Sequence, residues 1–143
     1  MLIGQYKHTI DTKKRLALPA KFRGELGNKV VVTTGTNNCL VVYTEKEWKA
    51  QADKLGQLPV SQSEARTYSR IMLANATEAN LDKLGRILLP DYLKDYAGLK
   101  KDVMICGLSN KLEVWDAERW QEYKQKAEKE FDSITSKLGE LGI

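Results

Sequence analysis

The side chains with the clearest chemical potential lie in a nine-residue pattern that occurs twice, at residues 11–19 and 82–90. In each copy an Asp is followed four residues later by an Arg, then by three apolar residues and a Pro. An Arg side chain can form paired hydrogen bonds with a carboxylate, a phosphate or the edge of a base. The pattern therefore indicates either a loop that binds nucleic acid or a loop closed by its own Asp–Arg ion pair.

Cations crowd this pattern, and clustering is a stronger sign of nucleic-acid binding than the moderate net charge of +4. A purely structural loop has little need of several cations, so we predict that these residues bind DNA. They are Lys13, Lys14 and Arg15 in the first copy and Lys83 and Arg86 in the second. We expect Arg15 to contribute more than Arg86, because the two residues before Arg86 are uncharged.

The acidic residues of the pattern, Asp11 and Asp82, would repel phosphate, and we predict that they shape the loops through hydrogen bonds to backbone N–H groups. Gly85 is a third loop-shaping residue, because glycine adopts positive φ without steric cost. The first copy has Lys14 at that place, where positive φ is costly, so the two loops need not share one backbone shape. Lys14 also adds charge where a phosphate could lie.

Other reactive residues form weaker patterns. His8 lies three residues before Asp11, and a carboxylate can orient an imidazole, but no nucleophile, metal site or phosphate-binding loop accompanies the pair. The two cysteines, Cys39 and Cys106, do not occupy equivalent positions and with one histidine cannot supply the four ligands of a typical zinc site. We therefore predict a protein that is not an enzyme and binds no metal and no cofactor.

A longer internal duplication surrounds the pattern and defines the elements that position it. Gly27 matches Gly98 and Trp48 matches Trp120, with one extra residue in the second repeat. Each repeat is predicted to run strand, loop, strand, helix, β-hairpin and a second helix. We place the first repeat at residues 1–55, a linker and helix at 56–75, and the second repeat with a long C-terminal helix at 76–143.

Local signals predict where several helices begin. Pro19 fits the first position of a helix that runs to about Leu26, because its missing N–H costs nothing there. Thr44 and Ser61 each open a capping box, a Ser or Thr followed three residues later by Glu. Asp116 is predicted to cap the last helix.

The last helix carries apolar residues three and four positions apart, opposite a face of Lys and Glu. They are Trp120, Tyr123, Ala127, Phe131, Ile134 and Leu138. Two interpretations stay open: this stripe packs on its own chain, or it contacts a neighbouring subunit through Trp120, Phe131 and Ile134. The tryptophans fall on equivalent helix faces of the two repeats, which favours a packing role over base stacking.

Two tandem copies of Asp-x-x-x-Arg, three apolar residues and Pro, each followed by a helix and a β-hairpin, resemble the MraZ family over nearly the whole chain. The resemblance implies an α+β fold in which two tandem AbrB/SpoVT-like swapped-hairpin repeats form one small β-barrel core flanked by helices. It also implies a ring-shaped homo-oligomer. The implied function is sequence-specific binding of double-stranded DNA at direct repeats in the promoter of a bacterial cell-division and cell-wall gene cluster, the operon of the protein itself, as a transcriptional regulator.

No segment is long and apolar enough to cross a bilayer, so we expect a cytoplasmic, nucleoid-associated protein without a membrane partner. The alternative function is an interaction protein, comparable to toxin-binding antidotes of the AbrB-like group, that grips a protein with its C-terminal helix. Such antidotes usually carry a flexible tail. Here the helical period continues to about residue 138, which favours the DNA-binding regulator.

Overall fold

The structure, a computed structural model, describes all 143 residues. Its strands are β1 (Leu2–Thr9), β2 (Arg15–Ala17), β3 (Lys29–Thr34), β4 (Leu40–Thr44), β5 (Thr77–Asn80), β6 (Arg86–Leu88), β7 (Asp102–Ser109) and β8 (Lys111–Asp116). Its α-helices are α1 (Arg23–Leu26), α2 (Glu45–Gly56), α3 (Ser63–Ala74), α4 (Asp91–Ala97), α5 (Ala117–Lys129) and α6 (Phe131–Lys137). Short 3-10 helices cover Ala20–Phe22, Thr36–Asn38 and Gly139–Leu141.

The main sheet is antiparallel and has six strands in the order β1-β7-β8-β4-β3-β5. The two repeats exchange strands within it, since β1 of the first repeat pairs with β7 of the second and β5 of the second pairs with β3 of the first. The predicted α+β class and the swapped tandem repeats are confirmed. The strands form an open sheet with β1 and β5 at its edges rather than a closed barrel.

A second, two-stranded sheet consists of β2 and β6, the strands that follow the two copies of the Asp-x-x-x-Arg pattern. We call it the interface ribbon. Leu16 lies opposite Ile87 at its centre. At its ends the backbone N–H of Leu18 donates to the Gly85 carbonyl at 3.0 Å, and that of Leu89 donates to the Lys14 carbonyl at 2.9 Å. The two copies of the pattern therefore face each other in one chain.

One hydrophobic core joins the inner face of the main sheet to the interface ribbon. Alternate residues of each strand point into it, as the period of two predicts, for example Val30 and Val32 of β3 and Leu112 and Val114 of β8. Leu16 and Ile87 of the interface ribbon enter the same core and are at most 1% exposed. The ribbon is thus held in place by burial of the apolar side chains within the repeated pattern.

Helices α2, α3 and α5 contact the main sheet. Trp48 packs on Tyr43 with a centroid distance of 5.4 Å, and Trp120 packs on Trp115 at the same distance. The indole Nε1 of Trp120 also donates to the Gln5 side chain at 2.8 Å. These contacts agree with the packing role predicted for the tryptophans.

Two helix starts differ from the sequence prediction. Pro19 precedes the helical turn as its cap, with ψ of 132°, and its carbonyl accepts from the N–H of Phe22 at 3.0 Å. The missing proline N–H costs nothing there either, so the prediction erred by one position. The capping box predicted at Ser61 is wrong, because the Gln62 N–H donates to the Pro59 carbonyl at 3.2 Å and closes a turn, and Gln62 precedes α3 without a side-chain cap.

The other two predicted caps are present. The Thr44 hydroxyl accepts from the Glu47 N–H at 3.1 Å, although the Glu47 carboxylate accepts from Asn110 at 3.1 Å instead of returning to Thr44. The Asp116 carboxylate accepts from the Arg119 N–H at 3.2 Å. No helix of the structure combines the length and the apolar character that a bilayer span requires.

The predicted C-terminal helix is interrupted at Glu130, whose φ and ψ of −97° and 2° separate α5 from α6. The break divides the apolar stripe. Trp120 packs on its own sheet, whereas Phe131, Ile134 and Leu138 are 65%, 40% and 37% exposed. Packing on its own chain, the first of the two interpretations, therefore describes the part of the stripe on α5. The apolar residues from Phe131 onward are not covered by the core of their own chain.

Candidate nucleic-acid interface

The first loop, residues 11–15, is closed by the carboxylate of Asp11. One oxygen, Oδ1, accepts from the backbone N–H groups of Lys13 and Arg15, both at 2.9 Å. The other, Oδ2, accepts from the Arg15 Nε at 2.7 Å. Two further backbone bonds join Asp11 to Arg15 and to Lys14, both at 3.0 Å. One side chain thus fixes the loop backbone and the root of the Arg15 guanidinium together.

The second loop, residues 82–86, has the same set of bonds. Asp82 Oδ1 accepts from the N–H groups of Leu84 and Arg86 at 2.9 Å, and Asp82 Oδ2 accepts from the Arg86 Nε at 2.8 Å. The φ angle is 63° at Lys14 and 74° at Gly85. The equivalence of the two loops, which the sequence left open, is therefore resolved: they share one backbone shape, because Lys14 adopts the left-handed conformation that glycine adopts in the second loop.

The hydrogen bonds of the first loop hold Lys14 in this conformation, which costs a non-glycine residue roughly 1–2 kcal/mol. The hydrogen bonds of Asp11 on either side of Lys14 determine the path of the backbone. The Lys14 Nζ also donates to the Asp91 carboxylate of the second repeat at 2.8 Å. Both groups are largely exposed, so this ion pair contributes little to the free energy of unfolding.

Hydrogen bonding lowers the pKa of both loop carboxylates. For Asp11 the largest cause is the backbone N–H of Arg15, and the Arg15 side chain adds to it. The pKa of Asp82 is lowered in the same way, first by the backbone N–H of Arg86 and then by its side chain. Both groups are therefore ionised at neutral pH, and each holds its arginine by a charged hydrogen bond.

Each arginine uses only its Nε in this ion pair. The terminal nitrogens of Arg15 and Arg86 have no hydrogen-bond partner in the protein, and no buried side-chain nitrogen lacks a partner, so these nitrogens reach solvent. The side chains are 32% and 27% exposed. The sequence left two alternatives for these arginines, an ion pair with Asp or binding of nucleic acid. One conformation allows both, because the ion pair leaves the terminal nitrogens free.

The register of the interface ribbon brings the two arginines onto one surface. Leu16 and Ile87 point into the core, so the residues on either side of them point outward. Arg15 lies opposite Leu88, and Arg86 lies opposite Ala17. The arginines are diagonal neighbours, a relationship that separates Cα atoms by roughly 7–8 Å. The outward face therefore carries two guanidinium groups, one from each repeat, with an exposed leucine beside Arg15.

The other predicted DNA-binding residues surround this face unequally. Lys13 and Lys83 are exposed at the tips of the two loops and form no ion pair. Lys14 lies in the pair with Asp91 described above. The structure thus places the two loops at opposite ends of the short interface ribbon, with Arg15 and Arg86 on its outward face, and leaves Lys14 partly neutralised.

Sequence reasoning missed two contributors to the site. It did not predict the ion pair between Lys14 and Asp91, because no sequence pattern indicates that these residues of different repeats lie close together. It also treated residues 16–18 and 87–89 as continuous apolar runs. The alternation of Arg15, Leu16 and Ala17 has the period of two of a half-buried strand, and that signal could have identified Leu88 as an exposed neighbour.

The residues considered for other chemistry do not assemble a reactive site. The Asp11 carboxylate is committed to its own loop, and burial, together with the charge of Arg23, lowers the pKa of His8. Burial raises the pKa of Cys39 and of Cys106 to about 12. No three His, Cys, Asp or Glu side chains converge in a way that could hold a metal ion.

Comparison with known proteins identifies the family. The family model described as "MraZ protein, putative antitoxin-like" matches residues 1–71 and again residues 72–139. Proteins named "Transcriptional regulator MraZ" from Thermoanaerobacter pseudethanolicus, Natranaerobius thermophilus and Caldanaerobacter subterraneus subsp. tengcongensis are 48%, 46% and 46% identical. Each alignment covers 143 residues, which is 100% of this chain and 100% of the relative. Because the family model spans both repeats and the relatives align over their full length, this chain belongs to the MraZ family.

Proposed function

We propose that this chain is a DNA-binding transcriptional regulator that contacts double-stranded DNA with the outward face of the interface ribbon and its two loops. The proposal rests on the diagonal placement of Arg15 and Arg86, whose terminal nitrogens are free while their Nε atoms are fixed. The names of the full-length relatives support the same class of function and not an enzyme.

The chemistry of this face suits base recognition. A guanidinium with free terminal N–H groups can donate two hydrogen bonds to O6 and N7 of a guanine in the major groove, and a two-stranded ribbon is narrow enough to enter that groove. Arg15 and Arg86 are preorganised for this contact by the carboxylates of Asp11 and Asp82. Gly85 lets the second loop take the shape that brings Arg86 forward.

In this proposal the lysines of the two loops bind the phosphate backbone of the DNA. Lys13 and Lys83, exposed at the loop tips, bind phosphates on either side of the bases and fix the register of the ribbon on the duplex. Lys14 exchanges Asp91 for a phosphate when DNA approaches, because the ion pair is exposed and therefore weak.

One protomer supplies too few contacts for selective binding, which leads us to propose a ring-shaped homo-oligomer. Two bidentate base contacts provide about 1–3 kcal/mol of discrimination each, which is small against the competing sites of a genome. Linking several protomers makes each later contact intramolecular and can raise avidity by roughly 10² to 10⁴. The subunit contact we propose is the exposed face of α6, with Phe131 and Ile134, and it includes the part of Trp120 on α5 that its own sheet leaves exposed.

An assembly of identical ribbons would engage identical sites at a regular spacing. We propose that the DNA target consists of direct repeats, and the resemblance to the MraZ family implies that they lie in the promoter of a bacterial cell-division and cell-wall gene cluster, the operon of the protein itself. Such a regulator acts in the cytoplasm, on the nucleoid.

A second candidate function follows from the exposed part of the C-terminal helix. Phe131 is 65% exposed on α6, and the description of the family model includes the words antitoxin-like. A protein partner bound on α6 would account for both observations. Under this alternative, substitutions on α6 abolish capture of the partner and leave the protomer able to bind DNA.

The test of the first proposal is DNA binding by the full chain. Fluorescence anisotropy should be measured on duplex DNA from upstream of the chain's own gene and on a scrambled duplex of the same composition, over a series of salt concentrations. We expect preference for the upstream DNA and a logarithmic salt slope of about −0.9 for each phosphate contacted. Equal affinity for both duplexes, with a slope near zero, would contradict the proposal.

A further inference from the structure

The guanidinium of Arg23 lies beneath the second loop, although Arg23 belongs to the first repeat. Arg23 opens α1, and its Nε and Nη2 donate to the Leu18 carbonyl at 3.1 and 3.0 Å. The N–H of the same residue, Leu18, donates to the carbonyl of Gly85. Arg23 is therefore anchored at the point where the interface ribbon meets the second loop.

The space filled by Arg23 is the space that a side chain at position 85 would need. A Cβ atom built on Gly85 would collide with the Nε, Cζ and Cδ atoms of Arg23. In the first loop the equivalent position is Lys14, and its own side chain carries a cation there. A cation thus accompanies both loops: Lys14 supplies it from within the first loop, and Arg23 brings it from the first repeat to the side of the second loop.

The charge of Arg23 is not neutralised by the protein. Its two hydrogen bonds go to a carbonyl, and it forms no ion pair with a carboxylate. Its third nitrogen, Nη1, has no partner in the protein, and because no buried side-chain nitrogen lacks a partner, Nη1 reaches solvent. A half-buried guanidinium with one free N–H₂ group is suited to bind an oxygen of a phosphate.

We infer that Arg23 binds a backbone phosphate of the DNA beside the second loop, across the repeat boundary. The inference rests on the proposed DNA-binding function and extends it to a residue outside the Asp-x-x-x-Arg pattern. With Arg23 the second loop has three cations, Lys83, Arg86 and Arg23, as the first loop has Lys13, Lys14 and Arg15. The second loop has fewer cations than the first in the sequence because its third cation, Arg23, comes from the other repeat.

The experiment measures the salt slope of binding to the upstream duplex for three variants of the full chain. Arg23→Gln keeps a side chain that can donate to the Leu18 carbonyl but removes the charge, and Arg23→Lys keeps the charge. Lys46→Gln is the control for the loss of one positive charge, because Lys46 is exposed on α2, which contributes no residue to the two loops or the interface ribbon. We expect Arg23→Gln to lower the magnitude of the slope by about 0.9 per bound protomer, and the other two variants to retain the wild-type slope.

An unchanged slope for Arg23→Gln would overturn the inference, as would an equal loss in Arg23→Lys. If Arg23→Gln does not fold, Arg23→Met replaces it, because methionine keeps an unbranched side chain beside Gly85 and removes the charge. A slope lowered by about 0.9 per bound protomer in Arg23→Met supports the inference, and a wild-type slope contradicts it. Failure of the unsubstituted chain to bind the duplex would instead contradict the proposed function.

Discussion

Lys14 and Gly85 occupy the same position in two loops that have the same hydrogen bonds, and both have positive φ angles, of 63° and 74°. Only one of them is the residue type that adopts this conformation without cost. The first loop accepts a strained lysine, and the second has a glycine because Arg23 fills the space beside it. This difference between otherwise equivalent loops leads to the first prediction.

Substitution of Lys14 by glycine should give a more stable protein than substitution by alanine, by about 1 kcal/mol. Both variants lose the cation and the contact with Asp91, so their difference isolates the cost of positive φ for a residue with a Cβ atom. Chemical denaturation measures this difference in the free energy of unfolding. An alanine variant as stable as the glycine variant would show that position 14 does not hold positive φ in solution.

Gly85→Ala tests the same backbone conformation in the second loop. We expect it to destabilise the protein more than Lys14→Gly does, because alanine at position 85 incurs the cost of positive φ that glycine avoids, and its Cβ atom also displaces Arg23. Equal stability of Gly85→Ala and the unsubstituted chain would contradict the close packing of Arg23 against the second loop.

Acidification should destabilise the protein through His8. Burial and the charge of Arg23 lower the pKa of His8 from 6.5, so the unfolded chain takes up the proton first as the pH falls. The full stabilisation is present above pH 6.5 and is lost as the pH falls through the lower pKa of the folded state. The free energy of unfolding should therefore decrease as the pH falls below about 6.5, and less so in His8→Gln.

The carboxylates of the loops do not obscure this measurement. The pKa values of Asp11 and Asp82 are lowered from 3.8, so their contribution to stability changes only at more acidic pH. An identical pH dependence in the unsubstituted chain and His8→Gln would show that His8 has the same pKa in the folded and unfolded states.

A charge on the exposed face of α6 should disrupt the assembly. Phe131→Glu places a carboxylate in the proposed subunit contact, whereas Ser133→Glu adds the same charge on a different face of the helix and serves as the control. Light scattering should show smaller species for Phe131→Glu alone, and its affinity for DNA with several repeats should fall towards that for a single repeat. A Phe131→Glu variant with unchanged mass would place the subunit contact elsewhere on the protomer.

The internal duplication predicted more of this structure than local propensity did. Because both copies of the pattern had to form the same supersecondary unit, the loops, both hairpins and the strands that follow Asp11 and Asp82 could be placed from residue types alone. The strand exchange between β1 and β7 is a long-range pairing, which periodicity within one repeat does not encode.

The sequence predictions failed at three places for different reasons. Ser61 has the residue type of a cap, but the turn that begins at Pro59 takes its place. The stripe of the last helix is continuous in sequence, yet the backbone breaks at Glu130, a residue of good helical propensity. The role of Arg23 could not be predicted, because its neighbour Gly85 lies 62 positions further along the chain.

The measurement that tests the central claim most directly is the affinity of Arg15→Ala, Arg86→Ala and the double variant for the upstream duplex. Lys46→Ala, an exposed cation on α2, is the control for a general loss of charge. We predict that each arginine variant loses about 10- to 100-fold in affinity, that the double variant loses more than either, and that all remain as stable as the unsubstituted chain within about 1 kcal/mol. Wild-type affinity in the folded double variant would show that DNA is not bound by the outward face of the interface ribbon.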